Sequence, residues 1–314
     1  MKIHTDLASF TGVKRPVLTT GTFDGVHLGH QVILDRLRAL ADREQGESVL
    51  FTFHPHPRMV LYPNDNDLRL LNTQAEKHAL LEAAGLDHLL VVPFSRSFSR
   101  MHALDYVRDV LVDALRVHAV VIGYDHRFGR NREGDIGLLK QLGEAYDFLV
   151  EEIPAREIDH VKVSSTKIRE ALLTGDVSHA DQLLGYPYMI NGVVVKGDQR
   201  GRTIGWPTAN IGGLDPFKLV PANGVYAITA TTSQGERKGM LNIGVRPTVE
   251  AEGERTIEAH LFDFDSDIYG EPITVHLRHR LRDEMRFDGL GALKAQLAND
   301  KADALRVLAN DRYA

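Results

Sequence analysis

Apolar and polar positions follow two different rhythms along this chain. In the first, short apolar runs at Pro16–Thr20, Val49–Phe53, His88–Pro93, His118–Gly123 and Phe148–Ile153 read as strands. Between them lie helical patterns at Gln31–Ala41, Gln74–Ala84, Met101–Leu115 and Ile136–Ala145. Leu104, Val107, Val110, Leu111 and Leu115 recur at spacings of 3, 3, 1 and 4, which lays them on one face at period 3.6. Strand–helix alternation over about 170 residues predicts a parallel sheet covered by helices. Right-handed crossovers then place a ligand at the carboxyl ends of the strands.

The rhythm changes after a helix-like Thr166–Leu173 and a polar, turn-rich connector over 174–184. From there short β runs follow one another: Met189–Lys196, Val225–Thr232, Arg237–Ile243, Ile257–Phe262 and Ile273–Leu277. Gln234-Gly235 reads as a hairpin turn between two of them. Successive strands without intervening helices predict a compact antiparallel barrel, and Gly289–Ala298 and Ala302–Asn310 read as closing helices. The expected division is therefore an α/β domain over 1–184 and a β-barrel domain over 185–314. No internal repeat or low-complexity tract interrupts either half.

Composition narrows the chemistry. A chain of 314 residues with 43% hydrophobic and 25% charged positions is globular and long enough for two cores. Its net charge of -6 argues against nucleic acid as the main partner. There is no cysteine, so disulfides, thiolate catalysis and zinc–thiolate sites are excluded. The first residues lack the apolar core of a signal peptide, and no run reaches the roughly 18 apolar residues of a spanning helix. A cytoplasmic protein with no membrane partner is expected; the oligomeric state stays open.

Two clusters carry candidate chemistry in the first half. Gly21-Thr22-Phe23-Asp24-Gly25-Val26-His27-Leu28-Gly29-His30 stands where a strand turns into a helix. Helix N-termini attract anions, and imidazoles there can donate to phosphate oxygens whose charge shifts during transfer. Gly21, Gly25 and Gly29 allow close backbone approach to a nucleotide. Taken alone, the two histidines also read as caps of a tight turn. The second cluster, Ser164-Ser165-Thr166-Lys167-Ile168-Arg169, gathers hydroxyls and cations at another helix start, suited to a triphosphate. Ser164 or Ser165 alone would be a plain cap. His54-Pro55-His56-Pro57 has no companion ligand set that would make it a metal site, and Arg127-Phe128 reads also as a loop with a packed aromatic.

The second half has its own cluster. Gly197-Asp198-Gln199-Arg200-Gly201-Arg202-Thr203-Ile204-Gly205-Trp206 is a flexible basic loop suited to phosphates, without the spacing of a P-loop; as a glycine-rich loop alone it reads more readily as a plain β-turn. It runs into Pro207-Thr208-Ala209-Asn210, whose hydroxyl and amide oxygen are hard ligands suited to magnesium. Asn223-Gly224-Val225-Tyr226, Asn242-Ile243-Gly244-x-Arg246-Pro247-Thr248 and Glu258-Ala259-His260-Leu261-Phe262-Asp263-Phe264 follow. Glu258 alternates with Ile257 and on its own reads as an ordinary solvent-facing strand glutamate.

Together these motifs resemble the bacterial bifunctional riboflavin kinase/FAD synthetase family. The first-half signature includes Thr52-Phe53-x-Pro55-His56-Pro57 and Gly123-Tyr124-Asp125-x-Arg127-Phe128-Gly129, and the second-half match runs over nearly all of 185–300. The resemblance implies an H-x-G-H nucleotidyltransferase domain followed by a six-stranded kinase barrel. It implies that riboflavin and ATP give FMN, and that FMN and a second ATP give FAD, with Mg2+ as cofactor. It assigns His27 and His30 to catalysis on the ATP phosphates, with Gly21, Phe23, Gly29, Ser164, Thr166 and Arg169 around them. Phe53, Pro55 and Asp125 fall on the flavin side. In the barrel it implies ATP binding by Gly197, Gly201, Arg202 and Gly205, magnesium at Thr208 and Asn210, and Glu258 as base for the riboflavin hydroxyl. Arg282 and Arg286 would belong to a flavin-side loop. The chain departs from the family pattern at His54, His126 and Trp206, and at Asp198-Gln199-Arg200. The competing readings are an H-x-G-H adenylyltransferase for a pantetheine or nicotinate nucleotide, which leaves the second half unexplained, and a flavin-binding protein without turnover.

Overall fold

The computed structural model describes residues 1–64, 67–155, 163–197, 200–245 and 255–311, with Arg200 and Arg202 described in backbone only. The chain packs as two compact units, Met1–Ser164 and Ser165–Ala314.

The first unit is a six-stranded sheet in the order β1-β4-β3-β2-β5-β6. The strands are β1 (Lys2–His4), β2 (Pro16–Thr20), β3 (Glu47–His54), β4 (His88–Pro93), β5 (Ala119–Gly123) and β6 (Leu149–Ile153). Every pairing is parallel. Strand alternation sends neighbours to opposite faces. Val17 of β2 packs with Leu34, Leu37 and Leu81 of α1 (Leu28–Arg43) and α3 (Gln74–Ala83), beyond the short α2 (Pro57–Leu61). Leu18 packs on the other face with Val107, Leu111 and Leu139. Helices therefore cover both faces, as the alternating pattern predicts. The strand order reverses between β2 and β5, because β3 lies on one side of β2 and β5 on the other. This is the switch point at which open α/β sheets bind ligands.

Two local expectations are corrected. β1 is an additional edge strand of three residues, too short to show a periodicity. The helix expected over Met101–Leu115 is a single turn at Ala103–Asp105 running into a π-helical segment, Tyr106–Ala114. The Leu115 N–H there donates to the Val110 carbonyl, five residues back. The wider turn carries Leu104 off the apolar face, and it is 56% exposed while Val107, Val110, Leu111 and Leu115 are buried.

The second unit is a closed antiparallel barrel in the order β10-β11-β8-β7-β12-β9. Its strands are β7 (Met189–Val195), β8 (Ala209–Gly212), β9 (Gly224–Thr232), β10 (Gly235–Val245), β11 (Arg255–Leu261) and β12 (Pro272–Arg282). β8 continues the polar Pro207–Asn210 motif and carries no apolar run of its own. The hairpin between β9 and β10 pairs Thr232 with Gly235, whose φ of +97° suits glycine.

The helices Ser165–Thr174 and Val177–Leu184 pack with the barrel. Ser178 Oγ donates to the Arg278 carbonyl at 3.3 Å, and the Leu172 carbonyl accepts from Ala222 N–H at 2.9 Å. By packing, the division thus falls at Ser164/Ser165, ahead of the 184/185 boundary read from the change of rhythm. At the other end, one helix over Leu290–Ala309 replaces the two expected. Asn299-Asp300-Lys301 reads as a break, but Asp300 is buried and accepts from Gln296 Nε2 at 2.9 Å and from the Arg282 guanidinium. Those bonds satisfy the carboxylate inside the helix and let it run through. Ala304 and Leu308 pack the helix against Ala227, Met240 and Phe262.

Candidate active sites

At the switch point of the first unit, β2 ends and the chain makes a constrained turn. Phe23, Gly25 and Val26 have φ of 47°, 93° and 36°. Left-handed backbone at Phe23 and Val26 is held by tertiary contacts rather than by residue preference. Asp24, buried, accepts from Leu71 N–H at 2.9 Å. Lys77 of α3, also buried, donates from Nζ to the Thr22 carbonyl at 2.8 Å. Burial lowers the Lys77 pKa, while the Asp24 carboxylate opposes the shift.

This turn delivers three stacked rings. Phe23 and His30 lie 4.4 Å apart at 22°, and His30 and His27 lie 3.7 Å apart at 10°. His27 caps α1 by accepting His30 N–H at Nδ1, 3.3 Å away. With Nδ1 accepting from the backbone, a neutral His27 ring carries its proton on Nε2. His30 is held well below its ordinary pKa by burial, then by His27 and Lys77, so its imidazole is neutral. Its Nδ1 is buried without a hydrogen-bond partner. Thr52 Oγ1, Gln74 Oε1 and His78 Nε2, on the end of β3 and on α3, share that condition. Buried polar atoms are paired in nearly all proteins, so orphans gathered near strand ends mark a place for a polar ligand.

Gly29 packs closely within the first unit. A Cβ there would come 3.1 Å from Val163 Cγ1 and 3.3 Å from the His27 ring. The chain leading into Ser164 therefore lies against the glycine of H-x-G-H. Thr166 is exposed and Arg169 half-buried in the helix Ser165–Thr174. A Cβ at Gly21 would approach the Phe23 ring at 3.0 Å.

On the β3 and β5 side, Phe53 packs edge-on to Phe94 at 5.3 Å and against Phe98 at 5.3 Å. Tyr106 of the π-helical segment is buried, its phenol pKa raised by burial and lowered in part by a hydrogen bond with Thr20. Pro55 and Asp125 are exposed at the ends of β3 and β5. His126 stacks on Phe128 at 6.1 Å and 21°, and burial pulls its pKa down to about 4. Phe128 is 7% exposed, a packed core aromatic.

In the barrel, strand register builds a polar row. Asn242 of β10 and Asn210 of β8 both pair with Glu258 of β11, so the three side chains share one face. Thr208 Oγ1 donates to Glu258 Oε2 at 3.4 Å. Asn210 lies directly over Gly197, where a Cβ would overlap its amide. A Cβ at Gly201 would strike the Trp206 carbonyl, and Gly205 has φ of 86°. Both glycines are required by the turn that delivers Pro207–Asn210. Hydroxyl, amide and carboxylate oxygens close together form a donor set suited to a hard divalent cation. A cavity of about 180 Å³ opens beside Thr208, lined also by Ala259, Asp265, Asp267 and Tyr269. Thr208 lines this cavity and also reaches Glu258 of the polar row.

The flavin-side expectation for Arg282 meets a different arrangement. Its guanidinium binds Asp300 through Nε at 2.9 Å and Nη2 at 2.7 Å, and donates from Nη1 to the Asp283 carbonyl at 2.8 Å. It anchors the start of the 283–288 loop to the C-terminal helix. Arg286 is exposed in that loop, and Glu284 accepts from Asn223 Nδ2 at 3.2 Å. The Arg202 side chain, Asp198, Gln199 and Arg246-Pro247-Thr248 lie outside the described residues. Sequence reasoning passed over Lys77 and gave His260 no role beyond its place in the Glu258–Phe264 motif. Lys77 follows Thr73 and Glu76, which form a capping box, so its place in the first turn of α3 was open to inspection.

A parallel sheet with an H-x-G-H turn at its switch point is the arrangement of a nucleotide-binding transferase; here it is joined to a small barrel with its own oxygen-rich site. A family model described as FAD synthetase matches residues 11–167, and one described as riboflavin kinase matches 184–308. The Escherichia coli K12 bifunctional riboflavin kinase/FMN adenylyltransferase is 40% identical over 92% of this chain and 91% of its own length. The Bacillus subtilis 168 protein of the same name is 37% identical over 95% of this chain and 94% of its own. The chain belongs to the bifunctional riboflavin kinase/FMN adenylyltransferase family. A solved structure named a macrolide-efflux protein, from Streptococcus pneumoniae, superposes with a TM-score of 0.87 at 32% identity, covering 96% of this chain and 97% of that one. Among the described residues, no helix is long and apolar enough to cross a membrane.

Proposed function

We infer that the chain phosphorylates riboflavin to FMN with ATP in its barrel, and adenylylates FMN to FAD with a second ATP on its α/β unit. Both family matches and the two full-length relatives support the pair of reactions. The observation that carries the assignment to residues is the pairing of two independent sites. One is the His27–His30 stack with its open Nδ1; the other is the Thr208–Glu258 contact on the barrel.

In adenylyl transfer, a phosphate oxygen of FMN attacks the α-phosphorus of ATP, and the bond to the bridging oxygen breaks to release pyrophosphate. The nucleophile is already an anion, so no strong base is needed. His27 and His30 stabilise the phosphate oxygens as charge moves onto the leaving group. The family resemblance assigns Ser164, Thr166 and Arg169 to phosphate binding, and Gly21, Phe23 and Gly29 shape the turn. Phe53 offers an aromatic face to the flavin, flanked by Pro55 and Asp125.

In phosphoryl transfer, the Glu258 carboxylate accepts the proton of the riboflavin 5′-hydroxyl as that oxygen attacks the γ-phosphorus, and ADP leaves. Thr208 and Asn210 would hold magnesium entering with ATP. Bound there, magnesium supplies neutralisation of phosphate charge. Gly197, Gly201, Arg202 and Gly205 cover the phosphates, and Arg286 lies on the flavin side with Arg282 fixing its loop. ATP as co-substrate and the absence of cysteine suit the cytoplasm.

Single substitutions test the division. His30→Ala removes FAD formation and leaves FMN formation near wild type; Glu258→Ala does the reverse. Loss of both activities from either change, in a folded protein, refutes the two-site assignment.

A further inference from the structure

Two residues after Glu258, on the same face of β11, stands His260. Its Nδ1 lies 2.7 Å from the Pro207 carbonyl oxygen. A carbonyl only accepts, so Nδ1 carries the proton and donates. The ring is 9% exposed and wedged between Trp206, with centroids 4.9 Å apart, and Phe262 at 5.8 Å. Phe262 is itself fixed by Ala304 and Leu308 of the C-terminal helix.

Pro207 has no N–H, so its carbonyl is the one backbone polar group through which the residue is tied down. β11 therefore grips two successive residues of the motif: His260 holds the carbonyl of Pro207, and Glu258 accepts from the hydroxyl of Thr208 at 3.4 Å. On the other side of the turn, Trp206 N–H donates to the Gly201 carbonyl at 2.9 Å. The peptide that ends in Thr208 is clamped at both ends, and the histidine is the side-chain half of that clamp.

We propose that His260 is a positioning residue for the kinase reaction, setting the placement of the Thr208 hydroxyl through its bond to the Pro207 carbonyl. The proposal rests on the kinase reading of Thr208 and Glu258. His260 touches no reacting atom. Its effect lies in where the Thr208 oxygen stands relative to magnesium-bound ATP. A shift of a few tenths of an ångström at a hard-ligand position weakens binding of the metal complex while leaving metal-free nucleotide little affected.

The test compares His260→Phe, which fills the wedge without a donor, with His260→Asn, whose amide N–H₂ stands near the position of Nδ1. Calorimetry with a non-hydrolysable ATP analogue is run with and without Mg2+, and both activities are assayed in the full chain. Loss of one net hydrogen bond predicts about fivefold weaker binding of the magnesium complex by the Phe variant. Metal-free binding changes less than about twofold, the kinase KM for ATP rises in step, and adenylyl transfer stays at wild type, whereas the Asn variant recovers most of the loss. Equal weakening with and without Mg2+, or an Asn variant no better than Phe, overturns the proposal in favour of simple packing. Should the Phe variant fail to fold, nitrogen NMR of the wild-type imidazole decides: a proton on Nδ1 supports the bond, and a proton on Nε2 alone overturns it. A wild-type chain that never phosphorylates riboflavin refutes the kinase reading itself; an active one with unaltered His260 variants refutes only this inference.

Discussion

Removing the Asp300 carboxylate gives a sharp test of how the barrel is held closed. The side chain of Asp300 is 3% exposed and that of Arg282 is 17% exposed. Three donors converge on the carboxylate: Arg282 Nε at 2.9 Å, Arg282 Nη2 at 2.7 Å and Gln296 Nε2 at 2.9 Å. Taking away one partner of a buried pair costs about 3–5 kcal/mol, because the other charge stays buried and uncompensated. Arg282 keeps its bond to the Asp283 carbonyl and some access to water, which puts Asp300→Ala at the lower end, about 3 kcal/mol. The barrel unit spans Ser165–Ala314, and for a unit of that size about 3 kcal/mol lowers Tm by roughly 6–12 °C. The chain has one tryptophan, Trp206, which packs near the C-terminal helix, so its fluorescence follows this unit. Asp300→Asn keeps an acceptor oxygen for the arginine and falls between Ala and wild type. The 283–288 loop loses its anchor as well, so the KM for riboflavin rises while adenylyl transfer persists. A Tm drop below about 2 °C for the Ala variant, or an Asn variant as unstable as Ala, refutes the reasoning.

Two further outcomes follow from the geometry of the first unit. Gly29→Ala places a methyl group 3.1 Å from Val163 and 3.3 Å from the His27 ring, so FAD formation falls by roughly tenfold or more while FMN formation is spared; an unchanged FAD rate contradicts the tight approach. Burial lowers the pKa of His30, His78, His88 and His126 in this unit and of His260 in the barrel. The unfolded chain then binds more protons than the folded one below pH about 6.5, so this stability is complete above that pH and is lost as pH falls. Calorimetry from pH 7.5 to 5.5 should show the α/β transition moving down more than the barrel transition; equal shifts would contradict the placement of these imidazoles.

Much of the architecture was legible because each half obeys one periodicity. Five of six parallel strands and the change to a barrel followed from apolar spacing, and H-x-G-H landed at the strand-to-helix turn where it was expected. What was hidden depended on partners distant in sequence. β1 has only three residues and is a strand because β4 pairs with it. β8 reads as a polar motif and is a strand because β7 and β11 flank it. Leu104 matched a helical face that a π turn then rotated away. Asp300 looked like a helix break until Arg282, eighteen positions back, met it inside the fold. The same distance hid Lys77 and His260, whose roles rest on carbonyls at Thr22 and Pro207 that no local pattern reveals.

The central claim is that one chain carries two ordered reactions on separate units. Purified protein is incubated with riboflavin, ATP and Mg2+, and flavins are resolved by chromatography over time. The account predicts FMN first and FAD afterwards, with FAD also formed from supplied FMN. FMN that accumulates without FAD, or riboflavin left unchanged throughout, would contradict it.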